Sequence, residues 1–407
     1  MKTKFIVMAA MAALFSMGFT ACSNNDDELA NQQIAEARGI GFSVNGEGSV
    51  VTRGYALNAS NVGATLPNFQ TWAYDAVDGG IYMGSSATLG LTVSNNDTSE
   101  PADGILDGSW TYSPIQFWPV NALNFVALAP NSPNGVTGNT VAQDGTSKDI
   151  TLTTAVTLST NVEDQDDIMF AEGNGLTKTS SAANVPYTFK HALSQIVFKG
   201  QLPTSGTVTK VTITEITLGN IGKTGNLVFD NNGNFFGGTA LAPVTQITTS
   251  TPSKFTLDAG DLEKSVWDVN AAENPATAGT AFDLTVSNNA SKKNAWMLLP
   301  QTAAAASITG DALKAGGLWN AGESVNNEPA SGAYLKIRAQ LEKDGVVILQ
   351  DREQDAIYIP LSVSWDRSTK YIYTIEFNGT SALTPITFSV SAQDWTDADP
   401  QPGQIDM

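Results

Sequence analysis

The stretch VTITEITL, residues 211–218, mostly alternates apolar and polar side chains. A period of two residues is typical of a strand that buries one face and leaves the other outside. Shorter alternating runs of Thr, Ser, Asn and Val recur between turn residues elsewhere in the chain, and helical heptads are absent. The sequence therefore predicts an all-β protein.

Strand-like runs on both sides of this stretch fall into two groups. The first group lies at 70–74, 110–112, 115–119, 123–130, 150–153 and 167–171, and the second lies at 187–198, 211–218, 227–229, 235–236, 295–301, 334–339, 356–361, 371–377 and 386–390. Residues 172–184 show no periodicity, which indicates a linker. Two antiparallel β-sandwiches in tandem fit this count and spacing better than one barrel does. We expect the domains at 54–185 and 186–407.

The chain is strongly acidic. It has 21 Lys and Arg against 40 Asp and Glu, which gives a net charge of −19, although charged residues are only 15% of the 407 positions. Such a surface repels phosphate backbones and anionic lipid headgroups. The composition therefore argues against nucleic acid as a partner. A strongly acidic surface is typical of an exported protein, because the net charge keeps the protein soluble.

The first residues have the features of a secretory signal peptide. Lys2 and Lys4 precede an apolar stretch, residues 5–19, that is too short to span a bilayer. The stretch leads into Phe-Thr-Ala-Cys at residues 19–22, which resembles the lipobox of bacterial lipoproteins, although that pattern prefers Leu where Phe stands here. Cys22 is the only cysteine, so it has no partner for an internal disulfide or a metal site. We therefore predict a lipoprotein signal peptide over residues 1–22 and a lipid on Cys22.

A polar segment follows the predicted lipid. Residues 23–28, Ser-Asn-Asn-Asp-Asp-Glu, resemble the signal that sends Bacteroidetes lipoproteins to the outer cell surface. A plain solvated linker is the other interpretation of this segment. In either case, the sequence predicts a tether between the membrane and the first strand.

The sequence offers little catalytic or metal chemistry. His191 is the only histidine, and although Ser194 follows three residues later, no third member of a triad is indicated. The acidic run at 163–167 could offer carboxylate oxygens to Ca²⁺, but its spacing fits no calcium loop, and a solvated turn is the simpler interpretation. We therefore expect no enzyme activity, no catalytic residue, no metal and no cofactor.

Six blocks of sequence, taken in order, resemble the fimbrillin family of Bacteroidetes, whose members are subunits of type V pili. No single block is diagnostic, but together they cover nearly the whole chain behind the lipobox. The blocks are Trp110 with Phe117-Trp118-Pro119, Leu123-Asn124-Phe125 with Ala129-Pro130, Asp167-Ile168-Met169-Phe170-Ala171, Phe189-Lys190-His191-Ala192-Leu193-Ser194-Gln195-Ile196, Met297-Leu298-Leu299-Pro300-Gln301, and Tyr358-Ile359-Pro360 with Trp365, Tyr371-Ile372-Tyr373-Thr374-Ile375 and Trp395.

Membership would imply two transthyretin-like antiparallel β-sandwich domains, export as a lipoprotein and maturation by a trypsin-like protease. In this family the cut falls after an arginine just downstream of the first strand, and Arg53 stands in that place with Gly54 behind it. A surface arginine in a loop is the other interpretation of Arg53. Arg38 offers a competing bond, but a cut there would leave the first strand attached.

The resemblance also implies assembly by strand exchange. Residues 23–53 would form a tether and a removable first strand, in which Ile40, Phe42 and Val44 alternate with small residues. Loss of this strand would leave unpaired N–H and C=O groups beside emptied apolar pockets, and such an edge is a template for a strand from another chain. Until the cut, the occupied groove would block assembly.

The function that the resemblance implies is a structural and adhesive subunit of a fimbria at the outer membrane and cell surface. Its partners would be other fimbrial subunits, an arginine-specific protease, and a host glycan or protein ligand. Pro400 and Pro402 make the C-terminal tail a poor donor strand, which would suit a tip position unless residues 386–390 swing out as the donor. Two alternatives stay open: a glycan-binding lipoprotein that remains anchored through Cys22, and an uncleaved anchor subunit of the pilus.

Overall fold

The computed structural model describes residues 39–46, 49–52, 55–58, 66–95, 110–179, 184–204, 208–233, 253–272, 276–285, 294–306, 313–314, 318–320, 329, 331–352, 356–377 and 387–394. Within these ranges the chain forms 28 strands and one short 3-10 helix, Val162–Asp164. The prediction of an all-β fold is confirmed. No helix in the described part is long and apolar enough to cross a membrane.

The strands are numbered in chain order. They begin with β1 (Gly41–Gly46), β2 (Ser49–Thr52), β3 (Tyr55–Asn58), β4 (Asn68–Asp75), β5 (Ile81–Met83), β6 (Leu91–Asn95), β7 (Trp110–Thr111), β8 (Leu123–Ala129), β9 (Val136–Gln143), β10 (Ile150–Thr157), β11 (Met169–Leu176), β12 (Asn184–His191), β13 (Ser194–Gln201) and β14 (Lys210–Ile221). They continue with β15 (Thr224–Asp230), β16 (Ser253–Asp258), β17 (Val266–Asp268), β18 (Ala281–Asp283), β19 (Trp296–Leu298), β20 (Gln301–Ala303), β21 (Leu313–Lys314), β22 (Leu318–Asn320), β23 (Tyr334–Lys343), β24 (Val346–Leu349), β25 (Ile357–Pro360), β26 (Val363–Trp365), β27 (Thr369–Glu376) and β28 (Thr387–Asp394).

The first half of the chain builds an eight-stranded sheet with the order β1-β12-β11-β8-β4-β6-β7, in which β5 also pairs with β4. A three-stranded sheet, β15-β10-β9, accompanies it. Two of these strands, β12 and β15, reach beyond residue 185, so later parts of the chain complete the sheets of the first half. The division into domains at residue 185 remains a prediction.

The second half builds a five-stranded sheet, an eight-stranded sheet and the two-stranded sheet β20-β26. The five-stranded sheet has the order β18-β13-β27-β28 with β19 on β13, and the eight-stranded sheet has the order β16-β14-β23-β25-β22-β21 with β17 and β24 on its sides. The 211–218 stretch lies inside β14, where it pairs with both β16 and β23. Its apolar residues are buried and its polar residues are half-buried or paired. A β-bulge between Ile213 and Glu215 keeps the apolar side chains on the core side, where the alternation is broken by two adjacent polar residues.

Two cores lie on opposite faces of the first sheet. In β4, Trp72 belongs to a large core that continues through the second half, whereas Phe69 and Ala73 belong to a smaller core next to β1. Every residue of β8 is buried because its alternate side chains serve the two cores. A strand covered on both faces is expected to show such a nearly continuous apolar run.

Three local predictions were wrong. Residues 172–176 belong to β11 rather than to a linker, because Gly and Asn in this segment hide the strand period. Residues 115–119 form no strand; only Phe117 makes an isolated bridge, to Gly39. β1 extends to Gly46, two residues beyond the alternating run from Ile40 to Val44 that the sequence assigned to this strand.

The strand-like run at 227–229 lies in β15, which pairs with the distant β10. A hairpin between this run and 235–236 stays a prediction. Its second arm, Phe235 and Phe236, lies outside the described residues.

Candidate functional site

The first strand is the most distinctive element of the smaller core. β1 runs parallel to β12 at one edge of the eight-stranded sheet, with six residue pairs from Gly41 opposite Asn184 to Gly46 opposite Phe189. β11, in contrast, pairs with β12 in the antiparallel sense. The N-terminal strand is therefore added to the edge of a sheet that the rest of the chain builds.

A second segment contacts the opposite side of β1 near its start. The backbone N–H of Ile40 donates to the carbonyl of Gln116 at 2.8 Å, and the hydroxyl of Tyr112 donates to the carbonyl of Ile40 at 2.6 Å. Residues 112–117, which we call the strap, also carry the bridge between Phe117 and Gly39. The entry to β1 thus lies in a slot between β12 and the strap rather than on an open edge.

The inward side chains of β1 and of Ile40, the residue before it, anchor the strand. Ile40 is 2% exposed and Phe42 is 4% exposed, and Val44 packs against the same core with partial burial. Burial of a large apolar side chain is worth about 1.5–3 kcal/mol, so the two buried anchors contribute about 3–6 kcal/mol. These are the three residues that the sequence predicted as the anchors of the removable strand.

Three aromatic rings surround Phe42. Its ring stacks on Tyr187 with the centroids 5.6 Å apart and an interplanar angle of 17°. Phe69 and Tyr112 meet it edge to face, each at 5.6 Å. Both arrangements are favoured geometries for aromatic pairs. We call β12, the strap and these three rings together the β1 seat.

Contacts that do not involve β1 fix the position of Tyr187 in the seat. The hydroxyls of Tyr187 and Thr71 lie 2.5 Å apart in a hydrogen bond inside the core. Burial raises the pKa of the Tyr187 phenol far above its usual range, although the bond to Thr71 opposes this shift, so the phenol stays neutral. Tyr187 also contacts Phe69 and Phe189. The pocket for Phe42 is therefore built by the remaining strands.

The predicted processing residues are not among those that the structure describes. Cys22, Arg53 and Gly54 are outside the described residues, as is the tail after residue 394. The strands on either side of the predicted bond, β2 and β3, pair antiparallel with Thr52 opposite Tyr55. A bond between two such strands is a favourable place for proteolytic nicking when it lies at an exposed tip.

The sequence did not identify the partners of Phe42. Phe69 and Tyr187 occur in ordinary strand patterns, and Tyr112 stands beside a turn, so each resembles a generic core residue. No local signal shows that these three positions converge on residue 42, because the convergence depends on pairing between strands far apart in the chain.

The only histidine has a structural environment. His191 Nδ1 lies 2.6 Å from Asp167 Oδ2, and both side chains are buried. The hydroxyl of Ser194 donates to the carbonyl of Asp366 instead. These contacts are typical of a packed junction between strands, although they do not by themselves decide whether the chain has an activity.

Side chains of the acidic run at 163–167 make hydrogen bonds to other parts of the chain. The Asp166 carboxylate accepts the backbone N–H of Asn134, and the Gln165 side chain accepts the N–H of Met297 in β19. Within the described residues, no group of three His, Cys, Asp or Glu side chains could hold a metal ion. The run therefore joins the first half of the chain to the second.

A family model and several solved structures resemble this chain. A family model described as Fimbrillin-like matches residues 71–395. A fimbrial protein from Bacteroides vulgatus shares 17% sequence identity, with 88% of this chain and 100% of that chain covered and a TM-score of 0.54, which shows a common fold. No curated protein matches the chain.

Two further solved structures resemble the chain. A candidate cell adhesion protein from Bacteroides ovatus has 14% identity, coverage of 89% of this chain and 99% of that chain, and a TM-score of 0.44. Another from Bacteroides uniformis has 15% identity, coverage of 88% and 98%, and a TM-score of 0.41.

Proposed function

Because the chain belongs to the fimbrillin-like family, we propose that it is a fimbrial subunit, exported as a lipoprotein, cut after Arg53 and assembled by strand exchange at the β1 seat. Its place is the cell surface and, before maturation, the outer membrane through a lipid on Cys22. The role is structural and adhesive. Its partners are other fimbrial subunits, an arginine-specific protease and a host glycan or protein.

The burial of β1 at a sheet edge is the observation that carries this proposal. Ile40 and Phe42 fill pockets that other strands build, so the pockets persist when the strand leaves. Departure of β1 also frees the outward N–H and C=O groups of β12 and the carbonyl of Gln116. Unpaired backbone groups beside apolar pockets favour the addition of a new extended strand.

The position of Arg53 supplies the trigger. β1 and Cys22 both precede Arg53, whereas all of the β1 seat follows it. One cut after Arg53 therefore severs the covalent link between the body of the protein and both the lipid and β1. The seat and the pairing of β2 with β3 then hold the N-terminal fragment without a covalent link, and a competing strand can replace β1. A cut after Arg38 would remove the lipid but leave β1 attached.

An anchored glycan-binding protein is the main competing function. Such a role needs exposed aromatic faces on which sugar rings can stack. Trp267 is the half-buried tryptophan of β17, but its ring stacks on Phe282 with the centroids 3.8 Å apart, and Lys264 Nζ lies over it at 4.6 Å. Because its own neighbours contact this ring, Trp267 lends the glycan-binding role no support.

The N-terminus of the surface form tests the proposal. Protein sheared from cells is expected to begin at Gly54 and to carry no lipid, as determined by N-terminal sequencing and intact mass. The Arg53→Ala variant should keep the lipid and form no filaments, whereas the matched Arg38→Ala variant should mature normally. Filaments composed of lipid-bearing chains that begin at Cys22 would overturn the proposal. A lipid-bearing minority that co-purifies with filaments would instead identify an anchor subunit.

A further inference from the structure

Four apolar side chains project from the strap and from the turns beside it. Val120 is 101% exposed, Ile115 62%, Val77 59% and Phe117 48%. Single exposed apolar residues are common on protein surfaces, but a contiguous group of them marks a surface that binds something. We call these four residues the apolar patch.

Contacts hold the two parts of the apolar patch next to each other. The backbone N–H of Ala76, the residue before Val77, donates to the carbonyl of Ala122 at 2.9 Å. The hydroxyl of Tyr82 in β5 donates to the carbonyl of Phe117. The turn between β4 and β5 therefore lies against the strap and the segment that follows it, and the four side chains belong to one surface.

The apolar patch lies where the N-terminal segment joins the fold. Gly39 forms the bridge with Phe117, and a methyl group added to Gly39 would lie 2.7 Å from Cγ2 of Ile115. Only residues 23–38 separate this point from Cys22, and they span at most about 55 Å when fully extended. A lipid on Cys22 would therefore hold the patch at a high effective concentration near a bilayer.

The polar groups around the patch already have partners inside the protein. The carbonyls of Gln116 and Phe117 accept hydrogen bonds from other segments. The side-chain amide of Asn121 donates to Asp75 at 3.0 Å and to Asp78 at 2.9 Å. Because these groups are bonded, the patch can approach lipid without leaving them unpaired. The two carboxylates at its border favour neutral headgroups over anionic ones.

A bilayer fits this patch better than a second protein does. A stable protein–protein contact needs about 800 Å² of matched surface on each partner, and four side chains are too few to supply that area. Apolar side chains on a turn can enter the boundary between headgroups and acyl chains without a surface of matching shape.

We propose that the apolar patch rests on a bilayer with neutral headgroups while the chain is uncut. This inference rests on the proposed function, because the lipid on Cys22 belongs to it, and adds a second contact with the membrane. The patch borders the entry of β1, so docking places that entry and the strap against the bilayer. A neighbouring strand then reaches the β1 seat only after the cut at Arg53 has released the body of the protein.

Photocrosslinking tests the contact. The chain from Cys22 onward is coupled through its only cysteine to a maleimide lipid in phosphatidylcholine vesicles. Photoreactive benzoylphenylalanine replaces Val120 in one protein and, as the matched control, Val346 in another, since Val346 is 65% exposed but lies on β24 in the second half of the chain. Mass spectrometry after illumination should find at least about tenfold more lipid adduct at 120 than at 346.

The other outcomes would contradict the inference. Equal lipid adducts at both positions, or none at 120, would overturn it. Adducts between two protein chains at 120 in place of lipid would also overturn it and would identify a second copy as the occupant. A higher yield on vesicles with half phosphatidylserine would contradict the preference for neutral headgroups. The proposed function is judged separately, by the N-terminus and lipid of protein from cells, because the coupling to Cys22 is chemical here.

Hydrogen exchange tests the effect on the strap. The amide of Ile40, which donates to Gln116, exchanges when the strap opens, so its rate should be at least about threefold lower on the vesicles than in uncoupled protein. Val120→Asp should abolish this difference, because a carboxylate at a fully exposed position leaves the fold intact but keeps the patch off the bilayer. The matched Val346→Asp variant should keep the difference. Equal Ile40 rates in the parent with and without vesicles would contradict closure of the β1 entry by the membrane.

Discussion

The Phe42→Ala substitution should release β1 while the chain is still uncut. Phe42 is 4% exposed and makes three ring contacts, to Phe69, Tyr112 and Tyr187. Truncation of a buried Phe to Ala usually costs about 3–5 kcal/mol, and loss of the aromatic pairs places this site in the upper part of that range. At about 1.4 kcal/mol per factor of ten, a cost of about 4–5 kcal/mol shifts the equilibrium between docked and released β1 by about 700- to 4,000-fold.

Hydrogen exchange of β12 measures this shift directly. Amides of residues 184–189 that β1 protects exchange when the strand opens, so their rates should rise by the same factor. The control is Ser43→Ala on the same strand, which removes only a small, half-buried side chain and should change the rates less than threefold. Rates in Phe42→Ala that stay within threefold of the parent would refute the argument that Phe42 anchors β1.

Three other substitutions test parts of the same account. Tyr112→Phe removes one hydroxyl donor to β1 and should cost about 1–2 kcal/mol in the same exchange assay; no change would mean that the strap does not hold the strand. His191→Ala leaves the buried carboxylate of Asp167 without this partner and should cost about 3–5 kcal/mol of unfolding free energy in urea titration, against about 1 kcal/mol for an ordinary hydrogen bond. Burial raises the pKa of Glu215, but the hydrogen bonds from Lys336 and Thr217 and the charges of Lys336 and Arg338 outweigh burial and lower this pKa below its usual range. The charged Glu215 side chain therefore stabilises the fold above its unfolded-state pKa, and this stabilisation disappears as the pH falls through the lower folded-state pKa. Glu215→Gln should lower the free energy of unfolding at pH 7 but not in acid. An equal difference from the parent at both pH values would contradict the ion pair.

The fold class followed from local patterns. The alternation over residues 211–218 corresponds to one buried face of β14, and the nearly continuous apolar run of β8 corresponds to a strand buried on both faces. Such periods depend only on residues that are near one another in the chain, so they can be recognised from the sequence. They do not reveal which strands pair, and the return of β15 to β10 joins residues more than sixty positions apart.

The site was predicted only in part for the same reason. Ile40, Phe42 and Val44 show the period of a strand, and their burial in the smaller core matches it. The parallel partner of that strand, β12, lies more than one hundred residues away, and no period can indicate it. The strap was misread because residues 115–119 have the composition of a strand but run along the start of β1 instead.

The strand that occupies the β1 seat in assembled filaments is the most direct test of the central claim. A filament reconstruction from cells at side-chain resolution would show which residues lie beside Asn184 to Phe189 of β12. The account predicts a strand from a neighbouring subunit, with an aromatic ring among Phe69, Tyr112 and Tyr187. Density for Gly41–Gly46 of the same chain in that place would contradict assembly by strand exchange at this site.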